Sequence, residues 1–358
     1  MSQVHNFSAG PCILPQEVLK KASEAVINFN NLDLSLIEIS HRSVDFVAVM
    51  DKATSLVKEL LEVPAGYSVI FLQGGASTQF LMVAYNLLTD NGVGAYVNTG
   101  AWASKAIKEA GILGKVEVLA SSEDKNFTYI PKGYSIPENA DYLHITSNNT
   151  IFGTQLKEFP ECPVTLVCDM SSDIFSKKIN VSDFDLIYAG AQKNMGPAGV
   201  TMVIVKDEIL GKVERTIPSM LDYRIHIKKE SMFNTPPVFS VYVSMLTLEW
   251  LKSLGGVEAI QMVNEEKAAL LYAEIDRNPM FRGVVEEQDR SAMNATFVLE
   301  DESMNDAFNQ ALSDARINGL KGHRSVGGFR ASMYNALPLE SVQVLVNTMT
   351  KFSESHGN

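Results

Sequence analysis

Leu186–Val205 reads LIYAGAQKNMGPAGVTMVIV, two apolar runs on either side of one lysine, Lys193. Leu186–Ala189 and Val200–Val205 have the length and composition of buried strands. Between them the chain is built from Ala, Gly, Gln, Asn and Pro. The end of a buried strand is a costly place for an ammonium group, because loss of water disfavours the charged form. A lysine held there spends part of its time as a neutral amine, which can attack an aldehyde and form a Schiff base. Pyridoxal phosphate is the aldehyde cofactor this chemistry points to.

Upstream, Val164–Cys168 is another strand candidate, and Asp169 ends it. Open α/β sheets bind ligands outside the carboxyl ends of their strands. A carboxylate there can keep a pyridine nitrogen protonated, although Asp is equally favoured as a plain helix N-cap. Residues 169 and 193 leave room for one intervening strand, Leu186–Ala189. Strand–Asp followed by strand–Lys resembles the order in pyridoxal-phosphate enzymes of the aspartate-aminotransferase fold.

Further upstream, Gly74-Gly75-Ala76-Ser77 lies between the strand Ser68–Leu72 and a helical run, Thr78–Leu88. Small residues let backbone approach an anion, and a helix N-terminus supplies N–H groups and a favourable dipole. The same residues also make an ordinary tight turn, and no Gly-Lys-Ser/Thr follows to form a Walker A loop. Trp102 opens a helix after Asn98-Thr99-Gly100 and offers a flat face to a flat cofactor, or packs in the core. The pairs His41-Arg42 and His323-Arg324, with Arg330, suggest an anion pocket, since Arg binds carboxylate or phosphate at two points. Ordinary surface charge is the alternative reading for each pair.

The surroundings are those of a two-domain globular chain. The 358 residues are 46% hydrophobic and 20% charged, and 30 basic against 42 acidic side chains leave a net charge of −12. That charge opposes non-specific binding to nucleic acid or anionic membrane. Cys12, Cys162 and Cys168 form no CxxC pair, so neither a disulfide framework nor a metal site is expected. The opening MSQVHNFSAGPCILP has no apolar signal core, and a cytoplasmic location is expected. Alternating strand and helix signals predict an α/β fold with a mostly parallel sheet covered on both faces. Helices are expected at Pro15–Phe29, Phe46–Leu61, Trp102–Ala110, Met245–Leu254 and Gly256–Ile275, then a smaller α+β unit with a frayed tail after Phe352. The domains are expected at 16–260 and 261–358, with arm 1–15 packing on the second.

NFSAGP (6–11), ISHRS (39–43), GGASTQF (74–80), DMSS (169–172), YAGAQKNMGPAG (188–199), SMFNTPP (231–237), LKGHRSVGGFRAS (320–332) and YNALPLE (334–340) stand in order along the chain. Together they resemble the phosphoserine aminotransferase family of class-V, pyridoxal-phosphate-dependent aminotransferases. The resemblance covers essentially the whole chain. It implies fold type I, with a seven-stranded sheet in the large domain and a small C-terminal domain. It implies one pyridoxal phosphate per subunit, as an aldimine on Lys193, with Asp169 on its ring nitrogen, Trp102 stacked on the ring and Thr150 near the phenolic oxygen. The phosphate would lie on Ala76, Ser77 and Gln192, with Asn234 and Thr235 reaching it from the second subunit of a homodimer.

By the same resemblance Arg330 would take the substrate α-carboxylate. His41 and Arg42, with His323 and Arg324 of the other subunit, would take the distal anion. The implied reaction moves an amino group between glutamate and 3-phosphohydroxypyruvate in serine synthesis, with a related phosphorylated substrate of pyridoxine synthesis as a further possibility. Some members carry Arg in a GGGRGQF pattern where this chain has Ser77, and Ser where it has Ala9, so one distal-anion donor is missing. Rival readings are an alanine–glyoxylate type aminotransferase, a cysteine desulfurase or a fold-type I binding protein without turnover. None of the three cysteines suits a desulfurase nucleophile, and a non-catalytic relative would be expected to lose the Asp/Lys pair.

Overall fold

The computed structural model describes residues 4–324 and 326–356. After β1 (His5–Asn6) come two helices, α1 (Gln16–Ile27) and α2 (Val44–Leu60). An alternating stretch follows: β2 (Tyr67–Leu72), α3 (Gly75–Leu87), β3 (Val93–Asn98), α4 (Ala101–Leu113) and β4 (Lys115–Ser121). Four strands succeed it, β5 (Tyr142–Thr146), β6 (Thr165–Asp169), β7 (Leu186–Gly190) and β8 (Thr201–Lys206). Then come α5 (Tyr223–Lys228), α6 (Val238–Ser253), α7 (Gly256–Arg277), β9 (Phe281–Gly283), β10 (Asn294–Leu299), α8 (Asn305–Asp314), β11 (Ile317–Asn318), β12 (Phe329–Ser332) and α9 (Leu339–His356).

Seven strands form one sheet in the order β2-β8-β7-β6-β5-β3-β4. Only β8 runs against its neighbours, pairing antiparallel with both β7 and β2. Successive residues of a strand face opposite sides. Phe71, Val97, Ile145, Cys168, Ile187 and Ile204 accordingly join the core under α1, α2 and α6. Ile70, Tyr96, Val167, Tyr188 and Val203 join the core under α3 and α4. Both faces are covered, and the central strands are apolar throughout, as parallel sheets require.

A third core gathers Leu271, Phe281, Phe297, Phe308, Phe329, Leu345 and Phe352. It surrounds the antiparallel sheet β12-β10-β9. Phe7 of the arm belongs to this core, and β1 pairs in parallel with β11. Helix α7 runs between cores: Val257 and Ile260 pack with the sheet, Ala268, Leu271 and Ile275 with the third core.

Of the expected boundaries that move, three bear on the site or the chain ends. Helix α3 starts at Gly75, not Thr78, so Ala76 and Ser77 stand in its first turn. Helix α6 starts at Val238, just after Pro236-Pro237, seven residues before the expected Met245. The tail after Phe352 is helical through His356, because Phe352 is buried and stacks on His356 at 4.4 Å; residues 357–358 lie outside the described residues.

Candidate active site

Four parallel strands end along one edge of the sheet and deliver polar side chains there. Strand β6 ends at Asp169, β5 at Thr146, β3 leads through Gly100 into α4 with Trp102, and β7 leads through Ala191 to Gln192-Lys193. Next to them, α3 begins at Gly75 behind Gly74, whose φ of 90° is the left-handed conformation that glycine adopts freely. A single cavity results, lined by Gly75, Ala76, Ser77, Trp102, Thr150 and Asp169 and, beside them, Gln192 and Lys193. It also exposes Thr146, Asn148, Ser171 and Ser172. A roomier surface depression beside Lys132, Tyr134 and Lys157 gathers no comparable set of groups.

Lys193 is half-buried, and its Nζ donates to Thr150 Oγ1 at 2.7 Å. The same Nζ lies 5.7 Å from the centre of the Trp102 ring. Burial pulls the amine down from 10.5 to about 8; Asp169 opposes this and Arg330 adds to it. Asp169 is 4% exposed, and burial pushes its carboxyl above the ordinary range, against a hydrogen bond from Ser171 N at 2.9 Å. Only Oδ1 takes that bond, so the cap-like role and a role toward the cavity coexist in one carboxylate.

The other predicted residues lie around this cavity or away from it. Arg330 on β12 reaches its rim, where Nη1 donates to Thr150 O at 3.3 Å. Asn234 and Thr235 stand beside the outer side of the Gly74 turn of their own chain, where Gln73 Nε2 donates to Thr235 O at 2.8 Å. His41 and Arg42 precede α2, the first half-buried and the second exposed. His323 and Arg324 are exposed on the loop before β12. None of these six lines the cavity within one chain.

Sequence reasoning missed Thr146, Asn148, Ser171 and Ser172. Thr146 and Asn148 belong to a polar run, TSNNT (146–150), directly after the YLHI of β5, and Ser171 and Ser172 follow Asp169 in DMSS (169–172), but only the fold brings them to one cavity. Sequence reasoning also missed how the arm reaches the lysine: Cys12 N donates to Gln192 O at 3.2 Å, and Cys12 Sγ donates to Lys193 O at 2.6 Å. Burial raises that thiol to about 12, so it is a packed group and not a nucleophile.

The donor set fits a flat, anionic aldehyde. Trp102 Nε1 and Thr146 Oγ1 are buried without a protein partner among the described residues. Buried polar atoms of this kind normally have one. Ala76 and Ser77 present first-turn N–H groups that no helical carbonyl accepts. A lysine amine, a buried carboxylate, an indole face and a helix N-terminus thus converge on one small cavity.

Comparison with known proteins agrees. Residues 4–345 match the family model for class-V aminotransferases. The phosphoserine aminotransferase of Flavobacterium psychrophilum is 64% identical over 346 residues, 96% of this chain and 97% of that one. The phosphoserine aminotransferase of Bacillus circulans subsp. alkalophilus superposes with a TM-score of 0.96 at 45% identity, covering 99% of each chain. A pyridoxal-phosphate-bound phosphoserine aminotransferase from Trichomonas vaginalis superposes at 0.92, with 35% identity over 97% of this chain and all of that one. Fold and site define a pyridoxal-phosphate-dependent transaminase. The chain belongs to the phosphoserine aminotransferase family.

Proposed function

We propose that this chain transfers the amino group of glutamate to 3-phosphohydroxypyruvate, reversibly, giving phosphoserine and 2-oxoglutarate for serine synthesis. The observation that carries the reading is Lys193: a desolvated amine at a strand end, sharing one cavity with Asp169 and Trp102. Bound pyridoxal phosphate supplies a carbonyl carbon for the amino group and a ring that takes up the electron pair released at the substrate Cα.

In this reading Lys193 would hold the cofactor and would move a proton to and from the substrate Cα, as a general base and acid near neutral pH. Asp169 would keep the ring nitrogen protonated. Trp102 would hold the ring through its indole face, and Thr150, which accepts a hydrogen bond from Lys193 Nζ, would stand beside the amine. The first turn of α3, with Ala76 and Ser77, and Gln192 hold the phosphate, joined by Asn234 and Thr235 of the partner subunit.

Arg330 binds the substrate α-carboxylate. His41 and Arg42, with the partner subunit's His323 and Arg324, bind the distal phosphate or carboxylate. Two substrates with one distal anion in common suit a cluster of Arg and His side chains that can donate to either anion. A homodimer follows from this reading. Its support is the exposed apolar Ile37 and Val44 flanking His41-Arg42, at 62% and 80% exposure, a surface that a second chain would cover. Among the described residues no helix is long and apolar enough to cross a membrane, and the three cysteines are free. Free thiols support a reducing, cytoplasmic setting. We divide the chain at 16–260 and 261–358, with arm 1–15 on the second unit, following the passage of α7 from one core to the other.

Borohydride reduction tests the assignment of Lys193. Treated holoenzyme should carry the cofactor on the peptide containing Lys193, and Lys193→Ala should carry none and lose turnover by about a thousandfold or more. Cofactor trapped on another lysine would move the site.

A further inference from the structure

We propose that Lys267 is a positioning residue for the amino-acid substrate, holding the turn after β12 so that Arg330 keeps a fixed place relative to Lys193. The inference rests on the roles given above to those two residues. YNALPLE (334–340) is a motif to which those roles assign nothing, and Lys267 grips the turn that it opens.

Lys267 lies on α7 with 0% of its surface exposed. Its Nζ donates to Met333 O at 3.0 Å, Tyr334 O at 2.8 Å and Leu337 O at 3.2 Å. An ammonium group has three donors and no acceptor, so three carbonyls satisfy it completely. Among the described residues it has no carboxylate partner, and burial alone pulls the amine down to about 7. An enclosed cation without a counter-ion is costlier than an apolar side chain of the same size. The carbonyls of a tight turn, converging on one point, are what such a cation serves.

The turn it holds joins the two substrate-facing parts of the site. Arg330 lies three residues before Met333, on β12. At the crown, Asn335 N donates to Asn194 Oδ1 at 3.0 Å, and Asn194 directly follows Lys193. Asn335 Nδ2 donates to Phe175 O at 2.9 Å, while Asn194 Nδ2 donates to Ile174 O at 3.1 Å. Asn264, three residues before Lys267 and so on the same face of α7, donates to Asn335 Oδ1 at 2.8 Å. Tyr334 OH donates to Ala9 O at 2.8 Å and ties in the arm. Lys267, the turn, Asn335 and Asn194 thus form a buried polar chain from the strand bearing Arg330 to the loop bearing Lys193. The α-carboxylate and the Cα proton are handled at its two ends, where a shift of about 1 Å is enough to cost about a hundredfold in kcat/KM.

The test uses holoenzyme of Lys267→Met and Asn335→Ala. Each should keep the cofactor and its borohydride-trapped bond to Lys193. The KM values for glutamate and phosphoserine should rise together by about ten- to a hundredfold, with kcat less affected. Amide exchange of residues 333–337 should quicken, and the double variant should be no worse than the worse single one. Unchanged KM values in folded protein, or a loss of cofactor and kcat at unchanged KM, would overturn the proposal. If Lys267→Met does not fold, Asn335→Ala decides by the same two KM values. Failure of the wild-type protein to trap cofactor on Lys193 would instead sink the reading on which the proposal rests.

Discussion

At the scale of single residues, the chemistry rests on burial without full neutralisation. Lys193 is desolvated enough to lie near 8, while the charge of Asp169 opposes the shift and the Thr150 hydroxyl accepts its hydrogen bond. Because its pKa is lowered, the reactive neutral amine grows as pH rises and is nearly complete about one unit above it. The rate at which apoprotein takes up pyridoxal phosphate covalently should rise about fivefold from pH 7 to pH 8 and level off beyond about pH 9. A rate that falls over this range would place the reactive amine elsewhere. Lys193 and Asp169 were legible in the sequence because a charge beside an apolar strand is conspicuous. Thr146 and Asn148 were not, since a threonine or asparagine acquires meaning only when strands from distant parts of the chain end side by side. The short bonds from Cys12 to residues 192 and 193 were equally invisible, as they depend on where the arm is folded back.

At the scale of elements, the alternation of strands and helices was legible from periodicity, and it holds from β2 to β4, while β5 to β8 follow without α-helices between them. What shifted were the edges. Gly74-Gly75 looked like a turn that ends before a helix, whereas α3 already begins at Gly75 and offers its first-turn N–H groups to the cavity. Side-chain pattern cannot reveal this, because the first turn carries no buried stripe. The turn itself is tight: a Cβ on Gly74, at φ of 90°, would stand 1.9 Å from Thr78 Oγ1. Gly74→Ala should therefore cost about 1–3 kcal/mol and weaken pyridoxal-phosphate binding about tenfold or more. Gly66→Ala serves as the control, since Gly66 has a similar φ of 85° with nothing within 4 Å of a Cβ. Absorbance titration of the cofactor separates the two, and equal affinities would mean that the turn does not shape the phosphate end. Likewise, the buried Lys267 on α7 had no sequence signal, as its partners are backbone carbonyls of a turn that lies 66 to 70 residues away.

At the scale of the whole molecule, one chain forms the cavity of Lys193, Asp169 and Trp102 but leaves His41, Arg42, His323 and Arg324 outside it. The sequence made these His-Arg pairs conspicuous against a net charge of −12, but which chain each one serves is a property of assembly. If the distal-anion pocket is shared, a mixture of Lys193→Ala and Arg324→Ala subunits should regain about a quarter of wild-type activity, because half the random dimers then hold one intact site of two. Parent-level activity in the mixture would confine each site to a single chain. The central claim, a transaminase built for an amino acid with a distal anion, is tested most directly by a half-reaction. Holoenzyme is mixed with single amino acids without a keto acid, and the visible absorption of the bound cofactor is followed. Phosphoserine and glutamate should discharge that absorption rapidly, with alanine and aspartate slower by about a hundredfold or more. Equal rates with alanine, or no reaction with phosphoserine, would contradict the account.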